Sequence, residues 1–175
     1  KQESLIKGYL TKMPQNLAKW EAKRSQTVWV PLRPTKVTST FGTKFDIMKD
    51  NSVFASGNNG KGSYNVELTT KQIGITAIRL ELLKDKRLPK NGPGRFPDGN
   101  FVLNEFILKA AAVAKKPKKK MKVQLKNAKA DFSQANFQVR KAIDGNIRPI
   151  NGWASAPRLG ENRTATFELA KPLGG

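Results

Sequence analysis

The feature of this sequence that most constrains its fold is an alternation of apolar and polar residues with a period of two. It recurs in SYNVELTT (63–70), ITAIRLELLK (75–84), NFVLNEFIL (100–108), KVQLKNA (122–128) and TATFELA (164–170). Successive side chains of a strand point to opposite sides, so each segment reads as a strand with one buried face. In the third segment the alternation predicts two faces, Val102, Phe106 and Leu108 on one and Phe101, Leu103 and Ile107 on the other.

Turn signals separate these segments and extend the pattern. SGNNGKGS, KNGPGRFPDGN and IDGN are rich in Gly, Asn, Asp and Pro, which favour turns, and VWVPL, KVTST, KFDIM and SVFASG are shorter strand candidates. Many short strands at regular spacing are typical of an antiparallel sandwich or barrel. The predicted fold class is therefore all-β.

The N-terminal region has a different period. Leu17, Trp20 and Glu21 have helical spacing within 4–25, and Pro14 divides that segment because proline interrupts a helix. We predict a helical arm or linker over 1–26, in which Trp20 packs onto a neighbouring element. The β-sandwich is predicted over 27–175, with a Lys-rich loop at 114–122.

Composition restricts the function. The chain has no Cys and no His, which excludes thiolate chemistry and every Ser-His or Cys-His arrangement. Glu81, Glu105 and Glu168 lie at polar positions of the alternating strands, so we predict that the protein is not an enzyme. The net charge of +20 attracts nucleic acid, acidic polysaccharide, acidic proteins or a membrane surface. No apolar run is long enough to span a membrane.

The lysine tract AKKPKKKMK is a candidate polyanion-binding segment. Its contacts are predicted to be Lys115, Lys116, Lys118, Lys119 and Lys120. The alternative is a solvated loop, because like charges repel and the tract has little to bury. Polyanion binding predicts that the lysines converge with Arg33, Arg79 or Arg158. The absence of interleaved aromatics and of a nucleic-acid-binding signature argues against nucleic acid.

Two loops carry the other candidate contacts. In GPGRFPDGN (92–100), Arg95 can grip a carboxylate, a phosphate or sugar hydroxyls, and Asp98 and Asn100 offer oxygens. The alternative is a structural loop whose arginine pairs internally. In AIDGNIRPINGW, Asp144 is either a ligand or a turn former, and Trp153 either faces a ligand or closes the core.

Metal binding is left open by the sequence. Asp46, Asp50 and Asn51 resemble fragments of a calcium loop without the spacing of an EF-hand, so a structural calcium stays possible. No other cofactor is predicted for this chain.

The second half of the chain resembles a known fold family. KADFSQANFQVRKAIDGNIRPINGWASAPRLGENRTATFELAKPL (129–173) is similar to galactose-binding-like (discoidin-type) jelly rolls, in which an alanine pair, an Ala-x-Asp-Gly turn, a tryptophan and a closing strand recur. Together with GITAIRLELLKDKRLPKNGPGRFPDGNFVLNEFIL (74–108), it looks like one region of large secreted planctomycete proteins that carry a planctomycete-type cytochrome c domain. The likeness covers about 27–173.

The resemblance implies a jelly-roll sandwich with a non-catalytic binding or assembly role in an extracytoplasmic protein. Other chains or domains of the same assembly are its expected partners. It also implies a further strand after KPL that the sequence lacks, so we expect an open sheet edge. A carbohydrate-binding module is the alternative, which predicts exposed aromatics around 92–100 and 146–153, and polyanion binding is the second alternative.

Overall fold

The computed structural model describes residues 13–14, 17, 28–113 and 119–174. The chain divides into two compact units, Lys1–Pro31 and Leu32–Gly175. In the first unit Met13, Pro14 and Leu17 are helical, while the rest of the predicted arm, including Trp20, lies outside the described residues. The strand predicted for VWVPL is wrong. Residues 28–33 form no strand, and Pro31 lacks the amide donor that a ladder needs.

The described part of the second unit is built from antiparallel strands, which confirms the all-β class. Its only helical elements are two 3-10 helices, Pro89–Asn91 and Val139–Ile143. The strands are β1 (Pro34–Ser39), β2 (Thr43–Ile47), β3 (Val53–Gly57), β4 (Tyr64–Leu68), β5 (Ile75–Leu82), β6 (Val102–Leu103), β7 (Leu108–Ala110), β8 (Met121–Val123), β9 (Leu125–Ala130), β10 (Trp153–Ala154) and β11 (Arg163–Leu173).

The described strands pair in five antiparallel sheets. The largest has the order β5-β11-β9, and the others are the pairs β1–β4, β2–β3, β6–β10 and β7–β8. The β2–β3 and β7–β8 pairs join consecutive strands, whereas β4 returns to β1 and β10 returns to β6. This arrangement is sandwich-like, and the finer jelly-roll assignment stays a prediction.

The core lies on one face of the three-stranded sheet. Along β11 the side chains of Ala165, Phe167 and Leu169 are buried at alternate positions, as the period of two predicts. The Phe167 ring stacks on Phe106 with centroids 4.5 Å apart. Trp153 of β10 packs into the same cluster, so the core joins the sheet to the short β6–β10 pair.

The prediction of one continuous strand over NFVLNEFIL is wrong. It contains β6 and β7, separated by the irregular stretch 104–107. Phe101, Leu103 and Phe106 all pack against the core, although the alternation assigned Phe106 to the opposite face. The reason is tertiary: the amide of Phe106 donates to the Ala142 carbonyl at 2.6 Å, which turns the backbone out of the strand.

The segment KVQLKNA is also divided. β8 ends at Val123, and the carbonyl of Gln124 accepts a 2.9 Å hydrogen bond from the amide of Ala170 before β9 begins. Within β9 the pairing register with β11 shifts around Asn127, which has a positive φ of 48°. Asn127 Nδ2 donates to Glu168 Oε2 at 2.7 Å across this irregularity. Asparagine tolerates the left-handed region better than most residues, which explains its place there.

Candidate functional site

The loop 92–100 folds back on itself and is tightly built. The amide of Gly94 donates to the Gly99 carbonyl at 2.8 Å, and the amide of Phe96 donates to the Asn100 carbonyl at 3.2 Å. A Cβ on Gly94 would lie 1.8 Å from the Asn100 carbonyl oxygen, so only glycine fits. Gly94 therefore allows the two backbone segments of the loop, on either side of Arg95 and at Asn100, to meet.

Arg95 reaches out of this loop to the end of β3 and the start of β4. Its NH1 donates to the Asn58 carbonyl at 3.0 Å and to the Tyr64 hydroxyl at 3.1 Å, with Thr43 Oγ1 at 3.4 Å. Its NH2 donates to the Gly57 carbonyl at 2.7 Å. All four acceptors are neutral, and among the described residues no carboxylate pairs with Arg95.

A cleft of about 330 Å³ lies beside this guanidinium. Its lining combines apolar surface with polar groups and includes two arginines: Phe54, Ala55, Ser56, Gly57, Asn59, Arg87, Leu88, Pro89 and Arg95. None of the described residues that line it carries a carboxylate. The loop is anchored at its rim, because Asn59 Nδ2 donates to the Arg95 carbonyl at 2.7 Å.

The second arginine, Arg87, was missed by the sequence reading. Its Nε and NH2 donate to the two carboxylate oxygens of Asp85 at 2.9 and 2.6 Å, and its guanidinium lies 3.6 Å from the centre of the Phe54 ring. These hydrogen bonds hold the pKa of Asp85 down to about 2. The spacing Asp-x-Arg was the available signal, but only the fold places Phe54 beneath the guanidinium.

Asp98 and Asn100 do not join Arg95 in the cleft. Asp98 is exposed and accepts a 2.9 Å hydrogen bond from the Asn100 amide, which closes a turn. Asn100 Oδ1 accepts from the amide of the buried Ser155 at 3.1 Å, and its Nδ2 donates to Gln134 Oε1 at 3.1 Å. Of the three candidate residues in this loop, Arg95 therefore lines the cleft, whereas Asp98 and Asn100 form hydrogen bonds elsewhere in the fold.

Asp144 and Trp153 occupy positions that match the structural alternative stated for each. Asp144 accepts from the Asn146 amide at 2.8 Å and from Asn151 Nδ2 at 3.1 Å, so it holds a turn. Trp153 has no exposed surface, and its Nε1 donates to the Phe132 carbonyl at 2.8 Å. A ring without exposed surface offers no platform to a ligand in this conformation. Phe96 is the exposed aromatic of the 92–100 loop.

The lysine tract is described only at its C-terminal end. Lys115, Lys116 and Lys118 lie outside the described residues, whereas Lys119 and Lys120 are exposed. Lys120 Nζ lies 3.4 Å from Glu67 Oε2, which sets this end of the tract beside β4.

The β7–β8 pair extends the basic surface in a way that the sequence did not reveal. Lys109 and Lys122 are direct cross-strand partners on its exposed face. Within the described chain neither forms an ion pair. Like charges directly opposite destabilise a sheet, so this pairing is favoured by an anion. Arg79 is one of the three arginines expected to converge with lysines. It pairs with Thr166 of β11 from one side, and Lys129 of β9 pairs with the same residue from the other side.

β4 is the described strand in which every residue is exposed, its apolar side chains included. Tyr64, Val66 and Leu68 point to one side and are 47%, 50% and 45% exposed. Among the described strands β4 pairs with β1 alone, so its other edge carries no strand. Arg95 touches this face through the Tyr64 hydroxyl, which makes the cleft and β4 neighbours.

Two of the three residues considered for calcium, Asp50 and Asn51, accept hydrogen bonds from neighbouring protein groups. Asp50 Oδ1 accepts from the Ser52 amide at 3.0 Å and hydroxyl at 2.7 Å, and Asn51 Oδ1 accepts from Arg33 NH1 at 3.2 Å. Among the described residues no group of three or more acidic side chains is arranged to hold a metal ion. In that same part of the chain, no helix has the length and apolar character needed to span a membrane.

Comparison with known proteins adds no relative: no family model, no curated protein and no solved structure matches the chain.

Proposed function

We propose that this protein is a non-catalytic binding module of a secreted, planctomycete-type multidomain system. In this proposal it acts as a structural subunit or domain that docks onto other chains of a larger assembly. The observation that carries the proposal is β4. An edge strand with a half-exposed apolar face is a template for strand addition by another chain, and soluble proteins usually protect such edges.

The surroundings of β4 favour an acidic partner. The chain carries 33 Lys and Arg against 13 Asp and Glu, and the one acidic side chain of β4, Glu67, is already paired with Lys120. A partner strand that pairs with the free edge of β4 would place its own side chains beside Val66 and Leu68 and remove part of their surface from water. Its acidic side chains would meet a positive field, which steers association and selects the partner.

The test is native mass spectrometry of the protein from its source, beside its denatured mass. Complexes that contain the chain support the proposal, and a lone 19.4 kDa species contradicts it. Val66→Lys should dissociate the complex, because it places a charge on the apolar face. Asn65→Lys is the matched control, since it adds the same charge to the opposite face of the same strand. A complex that survives Val66→Lys excludes β4 as the docking edge.

Polyanion binding is a second candidate, and Lys109 and Lys122 favour it. The two lysines are direct cross-strand partners and both are exposed, so an oxyanion bound beside them would offset their like-charge repulsion. The absence of interleaved aromatics argues for an acidic polysaccharide over single-stranded nucleic acid. The test compares retention on a sulfated polysaccharide matrix with retention on immobilised single-stranded DNA at matched salt. Failure to bind either at low salt contradicts it.

A further inference from the structure

We infer that the cleft beside Arg95 is a carboxylate-binding site, and that its occupant is an Asp or Glu side chain of the protein partner that docks at β4. This inference rests on the proposed function for the identity of the partner. The site itself rests on the geometry of Arg95, which is independent of whether the assembly exists.

Arg95 is held in place, but the described residues supply it with no counter-ion. Four neutral acceptors orient its NH1 and NH2 groups, so little side-chain entropy remains to be lost when a ligand binds. Its Nε finds no acceptor among the described residues. A guanidinium carries five N–H donors, more than these contacts use, and the Nε and NH2 groups of an arginine form a fork that matches a carboxylate.

Arg87 lines the same cleft, and its guanidinium has a carboxylate as its hydrogen-bond partner. There Asp85 accepts from both Nε and NH2, at 2.9 and 2.6 Å. At Arg95 the described chain supplies only neutral acceptors. An incoming carboxylate at Arg95 would reproduce the bidentate pair already present at Arg87.

The cleft favours an amino-acid side chain over an acidic sugar. A sugar ring is usually gripped by the face of an aromatic residue, and the aromatic lining the cleft is Phe54. The Phe54 ring already carries the Arg87 guanidinium at 3.6 Å. The remaining apolar side chains of the lining, Ala55, Leu88 and Pro89, suit the methylene groups of an acidic side chain. Contact with Tyr64 connects the site to β4, where the partner docks.

The test uses small probes on the isolated full chain. N-acetyl-glutamate N-methylamide is titrated while the Nε–Hε signals of the arginines are followed by NMR. We expect a saturable shift of the Arg95 signal and none with the glutamine analogue, which lacks the charge. Arg33 is the internal control, because it is exposed and also has only neutral acceptors. Equal shifts at Arg33 and Arg95, or no shift at Arg95, overturn the inference.

Two variants and one further probe complete the design. Arg95→Gln should weaken binding about tenfold or more, since it removes charge-assisted hydrogen bonds. Arg95→Lys should give an intermediate loss, because it keeps the charge without the fork. The wild-type titration remains decisive if Arg95→Gln fails to fold. If glucuronate saturates Arg95 and the blocked glutamate does not, the occupant is a sugar acid, and the protein-partner assignment is wrong.

These outcomes separate the two proposals. A lone chain in native mass spectra, together with saturable glutamate binding at Arg95, removes the assembly and keeps the carboxylate site. A complex that depends on Val66, without glutamate binding at Arg95, keeps the assembly and removes the site.

Discussion

The indole Nε1 of Trp153 donates a 2.8 Å hydrogen bond to the carbonyl of Phe132, inside a core where the tryptophan ring has no exposed surface. The Phe101 ring meets it edge-on, with centroids 4.9 Å apart. This hydrogen bond ties β10 to the chain segment that follows β9. Trp153 therefore has a structural role that needs its indole N–H donor as well as its apolar ring.

Replacing this tryptophan tests that role. Trp153→Phe should destabilise the fold by about 1–3 kcal/mol, because the Phe132 carbonyl loses its buried donor. Trp153→Ala adds a cavity and should cost about 3–5 kcal/mol. Urea denaturation measures both, and Phe96→Ala is the control, since that ring is 51% exposed. Equal stability of Trp153→Phe and the wild type would show that the hydrogen bond contributes nothing.

The buried Arg163 predicts unequal effects of its two acidic partners. Arg163 is 3% exposed, and its guanidinium meets Asp131 at 3.4 Å and Glu161 at 2.9 Å. Asp131 also accepts a 2.9 Å hydrogen bond from the amide of Thr164. Asp131→Ala should therefore cost about 1–3 kcal/mol, and Glu161→Ala, whose side chain is 55% exposed, about 0–1 kcal/mol. The reverse order in chemical denaturation contradicts this assignment.

The Asp85–Arg87 pair predicts a specific pH dependence. The side-chain hydrogen bond from Arg87 lowers the pKa of Asp85 from 3.8 to about 2 in the folded state. A lowered folded-state pKa means that the carboxylate stabilises the fold above pH 3.8, and that this contribution disappears as the pH falls toward 2. The stability difference between wild type and Asp85→Asn should be constant near neutral pH and shrink below pH 3.8.

The control for this titration is Arg87→Gln, which removes the other partner. It should abolish most of the same pH-dependent difference, and adding Asp85→Asn to it should change little. A urea midpoint measured from pH 2 to pH 7 gives the comparison. Identical pH profiles for the wild type and Asp85→Asn would contradict the pairing.

The close backbone approach at Gly94 predicts a steric effect of adding one methyl group. Gly94→Ala should destabilise the protein by about 1–3 kcal/mol, because the Asn100 carbonyl oxygen occupies the space that Cβ needs. Gly60→Ala is the matched control, since its Cβ would meet only the Phe41 side chain at 3.6 Å. Thermal unfolding distinguishes the two, and equal melting temperatures would exclude the predicted clash.

The lysine pair predicts a change in salt dependence if the second candidate function is correct. Polyanion binding weakens as salt rises, and its slope is the fall in log K per unit of log salt concentration. Replacing Lys109 and Lys122 by Gln should lower the magnitude of this slope by about 2, or about 1 for each lost contact. Lys49→Gln with Lys71→Gln changes the net charge equally and serves as the control. If both double variants lower the slope equally, binding follows net charge, and the β7–β8 pair has no special role.

Some local features of the fold were predictable from the sequence. Tyr64–Leu68 and Ile75–Leu82 form strands where the alternation predicts them, and Ala165, Phe167 and Leu169 share one buried face. The alternation failed in 100–108, where a distant carbonyl at Ala142 captures the Phe106 amide. The candidate site was foreseen only in part: Arg95 was singled out, but Arg87, Phe54 and Tyr64 were not.

The sequence by itself determined the all-β class, the positions of the turns and the strongly positive charge. These depend on residue types and on spacings of a few residues, which act along the chain. The tertiary structure alone decided that Trp153 is buried, that Lys109 faces Lys122, and that Arg95 meets neutral acceptors where Arg87 meets a carboxylate. Each of these results depends on which distant segments pair, because hydrogen-bond partners and counter-ions come from strands and loops that local spacing does not bring together.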